Sequence, residues 1–183
     1  MRGVRAVLLF ALAAACAPPE AEAGLRAEPV AVIEDGLAAP TAVEVAGDRI
    51  AVLEPYRDRL VVYTADGRLT ARIDLSGSAI GLARLPGGEY VLCDREAGGV
   101  LFVDAASGAA RRLPTAGPLV EPLDLGVFDG VLRVLDAGAV EIVTLDEEGL
   151  VQDRLALVDG EGKPLSYPAS LTAHGGEIFV LDN

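Results

Sequence analysis

The chain of 183 residues is long enough for one domain with a substantial core, and 51% of it is hydrophobic. Trp is absent and aromatic residues make up 4%, so the core must be built from Val, Leu, Ile and Ala, which suits strands buried on both faces. A formal charge of -13 excludes a nucleic-acid-binding surface, which needs clustered Lys and Arg to displace counterions from phosphate; the charge instead serves solubility.

Arg2 and Arg5 precede an uninterrupted apolar run from Ala6 to Ala15 and small residues follow, the three-part layout of an export signal. The run is too short to span a bilayer as a permanent helix. It ends at Ala13-Ala14-Ala15-Cys16, which resembles a bacterial lipoprotein signal, with Ala13 where that family usually has Leu. The resemblance implies a signal peptide over 1–15, lipid attachment at Cys16, and a place in the bacterial cell envelope or periplasm, held to the membrane by the lipid alone. Ala21-Glu22-Ala23 before Gly24 offers the alternative of cleavage and plain secretion. Residues 16–29, rich in Ala, Pro and Glu, read as a flexible tether. Cys93 is then left as a single thiol on a buried strand, and no internal disulfide is expected.

Residues 30–183 read as an all-β domain. Val30 to Ile33 has the pattern of an outer strand that closes a ring by completing its last blade. Beyond it a strand-turn-strand unit occurs four times, each apolar run ending in an acid: Glu54, Asp94, Asp136 and Asp182. The acids recur at spacings of 40, 42 and 46 residues, in the range of a propeller blade. In the first copy, strands are predicted over Pro40–Val45, Ile50–Leu53, Leu60–Tyr63 and Leu69–Leu75, with turns at Gly47-Asp48 and Asp66-Gly67. The second and third copies repeat this order, with Gly87-Gly88 and Asp129-Gly130 at the first hairpin. The fourth runs from Tyr167 to Asp182 and contains two strands.

Four short antiparallel strands per unit predict a β-propeller, with blades at about 40–78, 79–118, 119–164 and an incomplete 165–183. About three and a half blades do not close a ring. The expectation is a truncated sequence, with pairing of two chains into a seven-bladed assembly as the competing account and self-association through open blade edges as its consequence. The segment Glu54-Pro55-Tyr56-Arg57-Asp58-Arg59-Leu60-Val61-Val62-Tyr63, followed by Asp66-Gly67, is similar to NHL-type repeats, which form six-bladed propellers. The second copy has Gly98-Gly99 where that pattern has Arg, the third has a shortened loop, and the Asn-His-Leu signature is absent.

The closing acids recur once per blade and are expected to accept backbone N–H groups of the following loop. His174 falls beside a hairpin turn and is expected at the surface; a lone His makes no multi-His zinc site. Arg72, Arg112 and Arg154 recur on outer strands, where they are expected to protect a blade edge. Asp159-Gly160-Glu161-Gly162-Lys163-Pro164 is an insertion that reads as a solvated turn. Departures from the repeat are the better functional candidates. Where the copies have Ala42, Gly81 and Ser170, the third has Asp124, a carboxylate on an inner strand near the axial channel. Asp124, Glu44 and Ser170 are the candidate ligand-binding residues. No catalytic constellation is legible, so the expected function is an exported, membrane-anchored module that binds a protein or small-molecule ligand, without a cofactor. The alternative is an enzyme of the propeller lactonase or lyase type, a resemblance that would imply a divalent cation, Ca2+, held by acids at the channel.

Overall fold

The computed structural model describes Ile33, residues 36–113 and residues 119–183. The export signal, Cys16, the tether and Val30 to Val32 lie outside the described residues. Alternating apolar and polar residues between Gly-bearing turns give fourteen strands and no α-helix among the described residues.

Strands β1 (Ala42–Ala46), β2 (Arg49–Glu54), β3 (Arg59–Thr64) and β4 (Leu69–Asp74) form the first sheet. The second comprises β5 (Ala79–Arg84), β6 (Tyr90–Asp94), β7 (Gly99–Asp104) and β8 (Ala109–Leu113). The third comprises β9 (Pro122–Phe128), β10 (Val131–Asp136), β11 (Glu141–Leu145) and β12 (Val151–Ala156), and the fourth β13 (Pro168–His174) and β14 (Glu177–Asp182). Each sheet is an antiparallel meander in chain order, and the first strands β1, β5, β9 and β13 lie beside one another. The chain is therefore a β-propeller with about three and a half blades and an open ring.

The hairpins follow from turn chemistry. Asp129 and Gly130 have φ of 53° and 78°, and Gly175 and Gly176 have 61° and 82°. Two consecutive positive φ values make the two-residue turn whose twist matches the flanking strands. Between β5 and β6 the register slips after Ile80, and Gly81 there has φ of 60°. The bulge brings Gly81 so close to blade three that a Cβ would lie 3.4 Å from the Asp124 Cα.

Side chains alternate across a strand, so every blade offers two apolar faces, and the core is the stack of those faces. Leu53, Leu60, Val62 and Ile73 of blade one meet Leu82, Leu92 and Leu101 of blade two. Val91, Cys93, Val100 and Phe102 meet Leu125, Leu132, Val134 and Val143 of blade three. Leu135, Ile142 and Leu157 meet Leu171, with Ile178 and Val180, of blade four. Burial pushes the Cys93 thiol well up, helped by Asp124, Asp136 and Asp94, so it remains a small protonated hydrophobe. Ile33 packs on the outward face of blade one with Val52, Val61 and Tyr63, so at this residue the contact is with the first blade.

Candidate functional site

In a four-stranded meander, the connection from second to third strand and the connection to the next blade emerge at one end. The other end carries the hairpins within each blade. The closing acids sit at the end bearing the longer loops. Glu54, Asp94 and Asp136 are buried, and each stays ionically or hydrogen-bond satisfied. Glu54 accepts the Ala38 N–H and pairs with Arg59, Nε to Oε2 at 2.6 Å. Asp94 accepts the Ala97 N–H at 3.0 Å and pairs with Arg112. Asp136 is held by N–H groups alone: Val120 at 2.9 Å, Glu121 at 2.8 Å and Ala139 at 3.4 Å. Asp182 accepts from Ser166 at 3.1 Å and Tyr167 at 2.6 Å. The Ala97 and Ala139 bonds lie in the following loop, as expected. The bonds from residues 38, 120, 121, 166 and 167 do not: there the acid ties down the segment arriving at its own blade.

A second device, unmarked by residue type, tightens the same end. Asp58, Gly98 and Val140 stand just before or near the third strand with φ of 47°, 62° and 56°. Their carbonyls accept the N–H groups of Leu75 (2.6 Å), Leu119 (2.9 Å) and Leu157 (2.9 Å), which lead out of the blade. A left-handed conformation is unfavourable for a β-branched residue, so Val140 is held there by its surroundings. At Gly98 no larger residue fits, since a Cβ would lie 2.5 Å from the Leu119 carbonyl oxygen.

A set of exposed apolar side chains lies beside these two devices. Tyr56, 83% exposed, stands in the single-turn 3-10 segment Pro55–Arg57 that directly follows Glu54. Val120 and Tyr167 are more than half exposed, and their own N–H groups are those held by Asp136 and Asp182. Val158, in the connection to blade four, is likewise more than half exposed. Arg95 and Glu121 bridge adjacent blades on this side at 2.5 Å. The sequence marks the acids as structural groups but not the loop positions they hold. The signal is an apolar residue at the acid-held positions, Val120 and Tyr167.

Of the three candidate ligand-binding residues, Asp124 and Ser170 come together and Glu44 does not join them. The Ser170 hydroxyl donates to Asp124 Oδ2 at 2.7 Å, the Leu171 N–H donates to the same oxygen at 2.9 Å, and the Leu125 N–H donates to Oδ1 at 2.9 Å. Both carboxylate oxygens thus face donors, and Asp124 clasps β9 to β13. Calcium takes about six to eight oxygen ligands, whereas this carboxylate is already engaged by hydrogen-bond donors. No group of three or more His, Cys, Asp or Glu side chains is placed to hold a metal among the described residues. Glu44 lies on β1 with Arg84 nearby; burial raises its carboxyl above the usual range, and Arg84 partly opposes the rise. His174 ends β13 at the surface, paired in register with Glu177. Arg112 and Arg154 are engaged in ion pairs, with Asp94 and Glu141, so they do more than present charge at an edge. The 159–164 insertion is exposed and closes on itself, the Asp159 carboxylate accepting from Glu161 and Lys163 N–H groups.

No protein-family model matches this sequence, and no curated protein matches it. Solved structures share its fold. Virginiamycin B lyase from Staphylococcus aureus superposes with a TM-score of 0.65 at 13% identity, covering 78% of this chain and 48% of its own. The WD40 β-propeller domain of Doa1 gives 0.65 at 14% identity, covering 84% and 51%. A chain of the nidogen/laminin complex gives 0.63 at 21% identity, covering 82% and 58%. The chain spans about half the length of these propellers. At such identities the likeness is one of fold.

Proposed function

We propose that this chain is an exported β-propeller of the NHL type that binds a protein or small-molecule partner on its loop-bearing face and is anchored to the membrane through lipid on Cys16. The observation that carries the reading is the placement of Val120 and Tyr167, apolar side chains in solvent whose N–H groups are held by Asp136 and Asp182, together with Tyr56 exposed in the 3-10 turn beside Glu54. Preorganised aromatic anchors on a rigid scaffold lose little entropy on binding, which is why such residues concentrate binding energy. The tether over 16–29 would hold that face away from the bilayer surface.

Photo-crosslinking in envelope fractions tests the reading. A crosslinkable residue at Tyr167 yields one discrete adduct, and the same residue at His174, on the hairpin side, yields none. Replacing Tyr56 and Tyr167 together by Ala weakens retention of that partner by about tenfold or more. Equal labelling from both faces, or unchanged retention, defeats the assignment. The second reading, an enzyme of the lactonase or lyase type with a divalent cation in the axial channel, draws on the inner-strand position of Asp124. Calcium titration by calorimetry separates the two: heat lost in Asp124→Ala supports the enzyme.

A further inference from the structure

At the hairpin end, blades two and three meet differently from blades one and two. In blade two, Tyr90 pairs in register with Arg84 and Val103, and its ring is buried against blade one with the Arg84 guanidinium 5.9 Å from the ring centroid. The same place in blade three is held by Leu132, paired with Val127 and Leu145. Blade one also carries an aromatic at this level, since Ile50 pairs with the buried Tyr63. Blade three therefore lacks both the ring and the cation that fill the preceding wedge. In their place is a cavity of about 330 Å³, lined by Leu132 and Leu145 of blade three and by Leu85 of blade two.

The mouth of this cavity is acidic. Asp146 and Glu147, which begin the connection from β11 to β12, line it together with Gln152, and no Lys or Arg is among the described residues around it. The Leu150 N–H at 2.7 Å and Gln152 Nε2 at 2.6 Å hold Asp146 in place, and both are neutral donors, so its charge stays uncompensated. Glu147 is exposed beside it. Water over a leucine floor has few hydrogen-bond partners, so a ring that displaces it gains free energy, while the acids favour a cation and oppose an anion. The volume lies at the small end of the roughly 300–1,000 Å³ of ligand pockets. We propose that this wedge binds a small arylalkyl amine, its ring on Leu85, Leu132 and Leu145 and its ammonium at Asp146 and Glu147. Such a ligand supplies from solution the ring and the cation that Tyr90 and Arg84 supply one blade earlier. The site lies at the opposite end from the loop-bearing face and does not depend on a partner there.

Titration calorimetry of the purified chain with phenethylamine, phenethyl alcohol and phenylacetate reads the outcome, and methyl NMR locates it. Phenethylamine should bind and shift the methyl signals of Leu85, Leu132 and Leu145; phenethyl alcohol should bind about fivefold more weakly, and phenylacetate more weakly still. Glu147→Gln should weaken the amine by about two- to fivefold and leave the alcohol unchanged. Leu132→Tyr puts the residue of blade two back into the wedge and should abolish binding. Leu85→Phe fills it from the other wall and should do the same, with circular dichroism checking that each variant keeps its sheet signal. Absence of phenethylamine binding at millimolar concentration overturns the proposal. So does phenylacetate binding as tightly as the amine, or amine binding that survives in either folded variant.

Discussion

Asp136 and Asp182 perform the same local task in different surroundings. Each caps a second strand and accepts two N–H groups from the segment arriving at its blade, yet Asp136 is fully buried while Asp182 is exposed on the last blade. Equal hydrogen-bond geometry does not mean equal energy. Water can replace a carboxylate lost from an exposed loop more readily than one lost from a fully buried position such as that of Asp136.

The sharpest way to break that comparison is to remove each acid. Asp136→Ala leaves the Val120, Glu121 and Ala139 N–H groups short of their acceptor and should cost on the order of 4 kcal/mol in denaturant unfolding. Asp182→Ala should cost about 1 kcal/mol or less, as for an exposed cap. Similar losses in the two variants would show that burial is not what separates them.

The apolar neighbours of the two acids extend the contrast. Leu135→Ala opens a cavity in the interface between blades three and four and should cost about 3 kcal/mol, whereas Leu181→Ala should change the stability of the single chain by under about 0.5 kcal/mol. A large loss at Leu181 under conditions where the chain sediments as one copy would mean that this face is already covered within the molecule.

The smallest expected effect concerns Glu44, a half-buried carboxylate on the first inner strand whose proton is held more tightly in the folded chain than in the unfolded one. A raised carboxyl contributes unfavourably once it ionises, so its cost to stability grows as pH rises from the ordinary Glu value through the raised one. Glu44→Gln should melt at a slightly higher temperature than the natural chain at about pH 7, with the difference vanishing near pH 3.5, where both side chains are neutral. A gap that stays constant with pH would assign the effect to packing.

Much of the fold was legible because its causes are local. Apolar alternation and Gly-bearing pairs such as Asp129-Gly130 and Gly175-Gly176 mark strands and tight hairpins in any tertiary setting. The clasp between Asp124 and Ser170 was half legible: the repeat singled out the acid, but nothing in the sequence places a residue 46 positions later against it. The left-handed residues were illegible, because Asp58, Gly98 and Val140 share a conformation and a carbonyl that accepts an outgoing N–H, but no residue type.

By itself the sequence determined the repeat, its strand-by-strand pattern, and the single acid that closes each unit, since these depend on alternation and turn chemistry within a few residues. Only the tertiary structure decided which N–H groups those acids hold, which side chains the tied loops present to solvent, and which blade faces are left uncovered. Each of these depends on contacts between segments far apart in the chain, and identical local sequence is compatible with burial at one blade and exposure at the next.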